Sequence, residues 1–407
     1  MTSLQFIIND IVEILISVAG VVIAWRWWNR VGTRSVIVFY ALRYLVMVLA
    51  MSFVEGFGSV DLAGWYMHAE WMVDQGLMPQ RDFHSPYHLG FNALLSLSVW
   101  LWHSPYAIVL AFTLAELLAI WYLYPVLAHV GSVRSAKRTI ILFMTSPVAI
   151  HAARSTQDEP LLLLGVSTIV WALVRNRTAL AVAAATLTFA STKVFSLLYF
   201  AAFAGWRKWR GVATVLAIVV SYWTLGWALG VHPLDCSFGR EIGMDAVADQ
   251  PVADVTRGNL WTLFEGVPVL ARYAVLLTAL GIAGLVFRQV LFDDTDSRSQ
   301  LVAAMRLTAV WYLLFNGLSP MSFFMYMVPA LPFILFLLLE DGSWSGRGML
   351  AAFLVWSVAF AFKDVQSSFI DRMGIVFDLT QVFGSLAFAG WLWFPALPRR
   401  MEKEVVT

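Results

Sequence analysis

VDLAGWYMHAEWMVDQGLMPQRDFHSPYHLGF, residues 60–91, is acidic and aromatic, and it follows directly on two apolar runs long enough to cross a bilayer. An acidic patch held against a membrane is where chemistry on a lipid-borne substrate is expected. The rest of the chain agrees with a membrane setting. Its 407 residues are 60% hydrophobic and only 13% charged, about half the charge a water-soluble surface carries. Mean hydropathy is +0.74. The apolar runs are continuous rather than alternating, so they satisfy their own backbone as helices and not as a β-barrel. The expected fold is therefore all-α: one polytopic integral membrane domain over residues 1–407.

Charge and cysteine content narrow the function. A net charge of +1 argues against a nucleic-acid partner. The single cysteine, Cys236, excludes an intramolecular disulfide framework and a multi-cysteine metal cluster. No basic residue precedes the first apolar run and Arg26, Arg30 and Arg34 follow it, which is not the pattern of a cleaved signal peptide.

Basic residues are retained on the cytoplasmic side. Placing Arg26 to Arg34 inside puts the amino terminus outside, the first spans near residues 4–25 and 35–54, and the quoted stretch outside. The clusters at Arg134/Lys137/Arg138, Arg175/Arg177, Arg207/Lys208/Arg210, Arg288/Arg298/Arg306, Arg347 and Arg399/Arg400/Lys403 then all lie inside in one topology, with the carboxyl terminus inside as well. Further spans are predicted near 105–128, 139–154, 160–174, 211–230, 268–288, 302–318, 321–340, 348–362 and 373–394. That makes about 11 crossings, with a first external loop at 55–104 and a second at 231–267.

Two places depart from simple counting. The apolar run at 88–102 reaches only about 23 Å as a helix, short of a hydrocarbon core about 30 Å thick, and parity leaves it no crossing. It is read as an interfacial or half-inserted helix. Residues 178–205 lie between Arg177 and Arg207, both inside, so they form a hairpin whose arms, about 21 Å each, stop within the bilayer. Its tip carries Lys193. A lysine at that depth snorkels, pairs with an acid, or receives an anionic lipid headgroup.

If residues 60–75 are helical, Leu62, Trp65, Tyr66, Ala69, Met72 and Val73 share one face, suited to lying flat on lipid. Asp61, Gly64, His68 and Gln75 share another, with Gly64 leaving room between Asp61 and His68. Asp61 is either a favourable charge near a helix start or a general base. Asp158 and Glu159, just before Pro160 in ARSTQDEPLLLL (153–164), suit a helix start as well as a site. Pro86 lies between His84 and His88, so no zinc site is expected from that pair. Asp61, Asp82, Asp158 and Glu159 can hold a hard divalent cation, Mg or Mn, though nothing in their spacing requires one. Trp65, Tyr66, Trp71 and Tyr87 line a sugar site or anchor the interface.

An external Asp after an early span, QGLMPQRDF (75–83), SPYHLGF (85–91), ARSTQDEPLLLL and ASTKVFSLLYF (190–200) together resemble the GT-C superfamily of polyprenyl-phosphate-sugar-dependent glycosyltransferases. The resemblance is nearest to its mannosyltransferase-like branch and extends to GNLWTLF (258–264) and LSPMSFFMYMVPALPF (318–333). It covers most of residues 50–340 through short motifs. It implies Asp61 as catalytic base, Asp158 and Glu159 as shapers of the site, and Lys193 as a contact for the lipid phosphate. Where many relatives carry two acids, this chain has Ser59, Val60 and Asp61, which leaves Asp82 as a rival base. The span before the usual first helix is a second departure.

The expected function is inverting sugar transfer from a polyprenyl-phosphate donor to a lipid, glycan or protein acceptor at the external face of a cytoplasmic membrane. Candidate substrate contacts are His68, Asp82, His84, Arg154, Asp158, Glu159, Lys193 and Arg257. A polysaccharide polymerase or ligase relying on Arg240 and Arg257, and a secondary transporter, are the alternatives. Acids near the surface and the lack of a visible repeat count against transport.

Overall fold

The computed structural model describes residues 3–53, 60–83, 85, 87–192, 196–204, 209–233, 260–264, 266–292, 297–319, 324–341, 343–361 and 374–393. Among them there is no named strand. The first helices are α1 (Ser3–Arg26), α2 (Thr33–Phe53), α3 (Val60–Gln75), α4 (Leu89–Leu101) and α5 (Pro105–Val130). Next come α6 (Val133–Met144), α7 (Pro147–Arg154), α8 (Glu159–Val174), α9 (Thr178–Ser191), α10 (Ser196–Ala204) and α11 (Trp209–Ala228). The chain then forms α12 (Val269–Phe292), α13 (Ser297–Leu318), α14 (Leu331–Glu340), α15 (Trp344–Ala361) and α16 (Gly374–Trp393).

Among the described residues, four helical stretches are long and apolar enough to cross a membrane: Thr33–Ser52, Pro105–Val130, Leu270–Arg288 and Arg298–Leu318. They sit at different depths in the bundle. Thr33–Ser52 is only 11% buried, whereas Arg298–Leu318 is 83% buried. The first therefore leaves its side chains for lipid, and the second is the central post of the main core, packed on α10, α12, α14 and α16. Side-chain donors on α13 fasten it. The Trp311 indole donates to the Leu280 carbonyl of α12 at 2.8 Å, and the Asn316 amide donates to Ser385 Oγ of α16 at 3.0 Å.

The peripheral α2 is held to α5 by charge. Arg43 donates from Nη1 to Glu116 Oε1 at 3.0 Å and from Nη2 to Oε2 at 2.7 Å, and Tyr40 Oη donates to Oε1 at 2.7 Å. A forked guanidinium–carboxylate pair with an added hydroxyl is how a charge persists among apolar helices. Glu116, unremarked in its apolar run, is thus the counter-charge of Arg43.

Basic residues of two clusters lie against the ends of α1 and α5. Arg138 Nε donates to the Ala24 carbonyl at 3.0 Å, while Arg134 and Lys137 lie over the Trp28 ring. Arg298 Nε donates to the Val130 carbonyl at 2.7 Å.

Three expectations are corrected. The run expected as one span at 139–154 is two helices, because Ser146 caps α7 by accepting from Ala149 N and Pro147 opens it. The span expected at 321–340 is helical as α14 only from Leu331, after a short 3₁₀ turn at Phe324–Met327. The apolar face of α3 does not await lipid. Leu62, Trp65 and Ala69 are buried with Met47, Phe91, Leu95, Val99, Ile108, Val109 and Phe112, a satellite core under α3 built from α2, α4 and α5. Trp65 meets Tyr87, Phe91 and Phe112 edge to face at 5.5, 5.2 and 5.6 Å, so its ring is a packing anchor and not part of an open sugar site.

Candidate functional site

The segment between α3 and α4 folds on its own polar groups. Asp82 Oδ2 accepts from Met78 N at 2.8 Å and from Arg81 Nη2 at 2.7 Å, and Oδ1 accepts from Arg81 Nε at 3.1 Å. Those bonds, the Arg81 one foremost, hold the Asp82 carboxyl below its ordinary range. Both oxygens thus serve a turn. Gln80, with φ +61°, donates its amide to the Ser85 and Tyr87 carbonyls at 2.6 Å each. Asn92 ties the end of this loop to α4 by donating to the Tyr87 and His88 carbonyls at 3.2 and 3.0 Å.

His88 then joins this segment to the tip of the 178–205 hairpin. Its ring is buried against Phe189 and Tyr222, and Nδ1 bonds the Phe189 carbonyl near the end of α9. A carbonyl oxygen can only accept, so the Nδ1 that faces it is the protonated nitrogen. Tyr222 Oη of α11 accepts from Leu89 N at 2.8 Å. Gly90 makes the approach feasible, since a Cβ there would fall 2.4 Å from the Ala190 carbonyl oxygen.

Asp61 sits in the first turn of α3, exposed, and its Oδ2 accepts from Gln157 Nε2 at 3.0 Å. Gln157 is in the turn between α7 and α8, so the 60–91 segment and the 153–164 segment, both expected to contribute to a site, do meet. The next turn of α3 is open, with nothing within 4 Å of where a Cβ on Gly64 would lie. His68, half-buried two turns along, packs against Phe83 at 5.0 Å and Trp71 at 5.6 Å.

Arg154 at the end of α7 lies with Nε 3.2 Å from Glu13 Oε1 of α1, and Nη2 is 2.9 Å from His151 Nδ1. Its charge is therefore balanced from within the protein. Ser155 Oγ lies 3.3 Å from the other nitrogen of His151, and the Ser155 carbonyl accepts from Gln157 Nε2 at 3.2 Å. A continuous polar path thus runs from α1 through α7 to Asp61. Asp158 and Glu159 follow at once at the start of α8, the helix start that their place before Pro160 suits, and each is only 2% exposed, so they are interior carboxylates. Asp158 forms no side-chain cap on α8.

The candidate residues His84, Lys193 and Arg257 lie outside the described residues, as does the hydrophilic part of the 231–267 loop. Asp61, Asp82, Asp158 and Glu159, which the sequence allowed but did not require to share a cation, do not form one group. Among the described residues the group of three or more metal-ligating side chains within 4.8 Å is Glu70, Asp74 and His103, one turn apart on α3 and beside the start of α5. His103 Nε2 is 3.4 Å from Glu70 Oε1 and 3.9 Å from Asp74 Oδ2. Neighbouring Tyr66 has its phenol pushed up to about 12, by burial first and the Glu70 bond second.

Glu13, His151, Thr156 and Gln157 escaped the sequence reading. For Glu13 a signal existed, an acid within an apolar run. Gln157 carries no charge and had none beyond its place beside Asp158. No family model matches the chain, and no curated protein is significantly similar to it.

Proposed function

We propose that this protein is a membrane glycosyltransferase of the GT-C type, with about 11 spans, that moves a sugar from a polyprenyl-phosphate donor to a lipid, glycan or protein acceptor at the external face of a cytoplasmic membrane. The observation that carries this reading is the bond from Gln157 Nε2 to Asp61 Oδ2 across 96 residues. It joins the two loops on which the resemblance to that superfamily rests and gives the carboxylate a fixed partner.

The reaction is a single displacement with inversion. Asp61 takes the proton from the acceptor hydroxyl. The acceptor oxygen forms its bond to the anomeric carbon as the carbon–oxygen bond to the lipid phosphate breaks, and that oxygen leaves with the electron pair. Asp61 afterwards returns its proton to solvent. Cationic side chains, Lys193 foremost, stabilise the departing phosphate. The transfer as written requires no metal, and a chelator arm in the assay reads whether Mg or Mn contributes.

The test is incubation of purified protein with polyprenyl-phosphate mannose, glucose and arabinose, scoring released polyprenyl phosphate for wild type and Asp61→Asn. Release by wild type and its loss in the variant support the reading. Undiminished release by Asp61→Asn removes Asp61 as base and favours a polymerase or ligase acting through external arginines.

A further inference from the structure

Three helices end in the same way among the described residues, and one of the three is strained. In each, a residue with positive φ follows the helix and donates to the carbonyl three back, and the next residue donates five back, the two bonds of a Schellman end. After α8 the left-handed residue is Asn176, φ +57°, bonded to Leu173 at 3.0 Å, with Arg177 bonded to Ala172 at 2.8 Å. After α11 it is Gly230, φ +76°, bonded to Trp227 at 3.0 Å, with Val231 bonded to Gly226 at 2.9 Å. After α7 it is Thr156, φ +47°, bonded to Ala153 at 2.9 Å, with Gln157 bonded to Ala152 at 2.9 Å.

Glycine and asparagine accept this backbone, but a β-branched residue clashes in it. Thr156 is also only 2% exposed, and its buried hydroxyl has no hydrogen-bond partner among the described residues. One residue therefore carries both a backbone and a solvation cost. Such double costs persist where the surrounding structure requires the geometry. What the turn delivers is the next side chain. Gln157 donates one amide hydrogen to Asp61 Oδ2 at 3.0 Å and the other to the Ser155 carbonyl at 3.2 Å. Both partners accept hydrogen bonds, so the nitrogen must occupy that position and the amide cannot flip.

We infer that Gln157 is the positioning residue for Asp61: anchored by the strained Thr156 turn, it holds Oδ2 and leaves Oδ1 to receive the acceptor's proton. The inference rests on the proposed role of Asp61 as base. An exposed aspartate at a first helical turn otherwise samples several rotamers, and only one aims Oδ1 at a given hydroxyl.

The experiment measures kcat and KM for whichever of the three polyprenyl-phosphate sugars wild type turns over fastest, with thermal midpoints in detergent. Gln157→Ala should lose roughly 10- to 100-fold in kcat with KM changed less than about threefold. Gln157→Glu, equal in shape but with an acceptor in place of the donor, should lose at least as much. Pairing Gln157→Asn with Asp61→Glu, which moves one methylene across the bond, should recover activity above either single variant. Wild-type kcat in Gln157→Ala or Gln157→Glu, or a rise in KM alone, overturns the inference while the loss in Asp61→Asn leaves the base standing. If Gln157→Ala fails to fold, the isosteric Glu variant decides. Full activity in Asp61→Asn, or no turnover by wild type with any of the three donors, overturns the underlying reading and this inference with it.

Discussion

The ends of α7 and α8 are built with the same pair of backbone bonds, yet one uses Asn176 and the other Thr156 in the left-handed position. Asparagine is a residue that the position selects when the only task is to stop a helix. Threonine is not. The difference teaches that the α8 end stops on a residue suited to the left-handed backbone, whereas the α7 end keeps an ill-suited one where Gln157 meets Asp61 and Arg154 meets Glu13.

The most severe way to test that contrast is at the carboxylate itself. Asp61→Asn is expected to lower sugar release roughly 100- to 10,000-fold while leaving the thermal midpoint near that of wild type, since Asp61 is exposed. An equal loss on altering Asn176 would erase the distinction between the two ends.

Next in size is an effect on folding alone. Glu116→Ala leaves Arg43 buried without its forked partner and is expected to cost about 3–5 kcal/mol, read as a lowered midpoint in a detergent melt. It sets the scale against which either helix end is small. A milder melt than that of Asn176→Thr would show that α2 is not held by this pair.

The exchange of cap residues compares the two ends directly. Asn176→Thr should cost about 1–2 kcal/mol by forcing a β-branched residue into the left-handed region. Thr156→Asn should gain about 1 kcal/mol by relieving it. Equal and unchanged midpoints in both variants would mean that the α7 end stores no strain.

The smallest effect concerns the 78–83 turn. Because the folded carboxyl of Asp82 is held low by Arg81 and Met78 N, its contribution is present above the ordinary carboxylate range and is lost as pH falls through the folded value. The midpoint difference between wild type and Asp82→Asn should therefore be slight at neutral pH and vanish once acid has protonated the folded carboxyl, below the ordinary carboxylate range. A difference that grows with acid contradicts the turn.

Helix positions were largely legible, because apolar runs act locally. The 60–75 helix, the 178–205 hairpin and the weak 88–102 run match α3, α9 with α10, and α4. What covers a face was not legible. Leu62, Trp65 and Ala69 share a stripe whether lipid or Phe91 and Phe112 lie above it, and hydropathy is blind to that choice. The break at Ser146–Pro147 was hidden for a related reason, since averaged hydropathy passes over a two-residue cap. Within the site, charge drew attention to Asp61, Arg154, Asp158 and Glu159. The neutral Gln157 that touches Asp61 is found only when residues 96 apart in sequence come together. The same holds for Arg43 and Glu116, 73 apart.

The Glu13–Arg154 contact has a kinetic meaning for any anion that arrives at this end of the bundle. The guanidinium is not a vacant berth. A phosphate that reached it would have to displace the Glu13 carboxylate of α1, so its binding would be an ion exchange rather than a simple attraction.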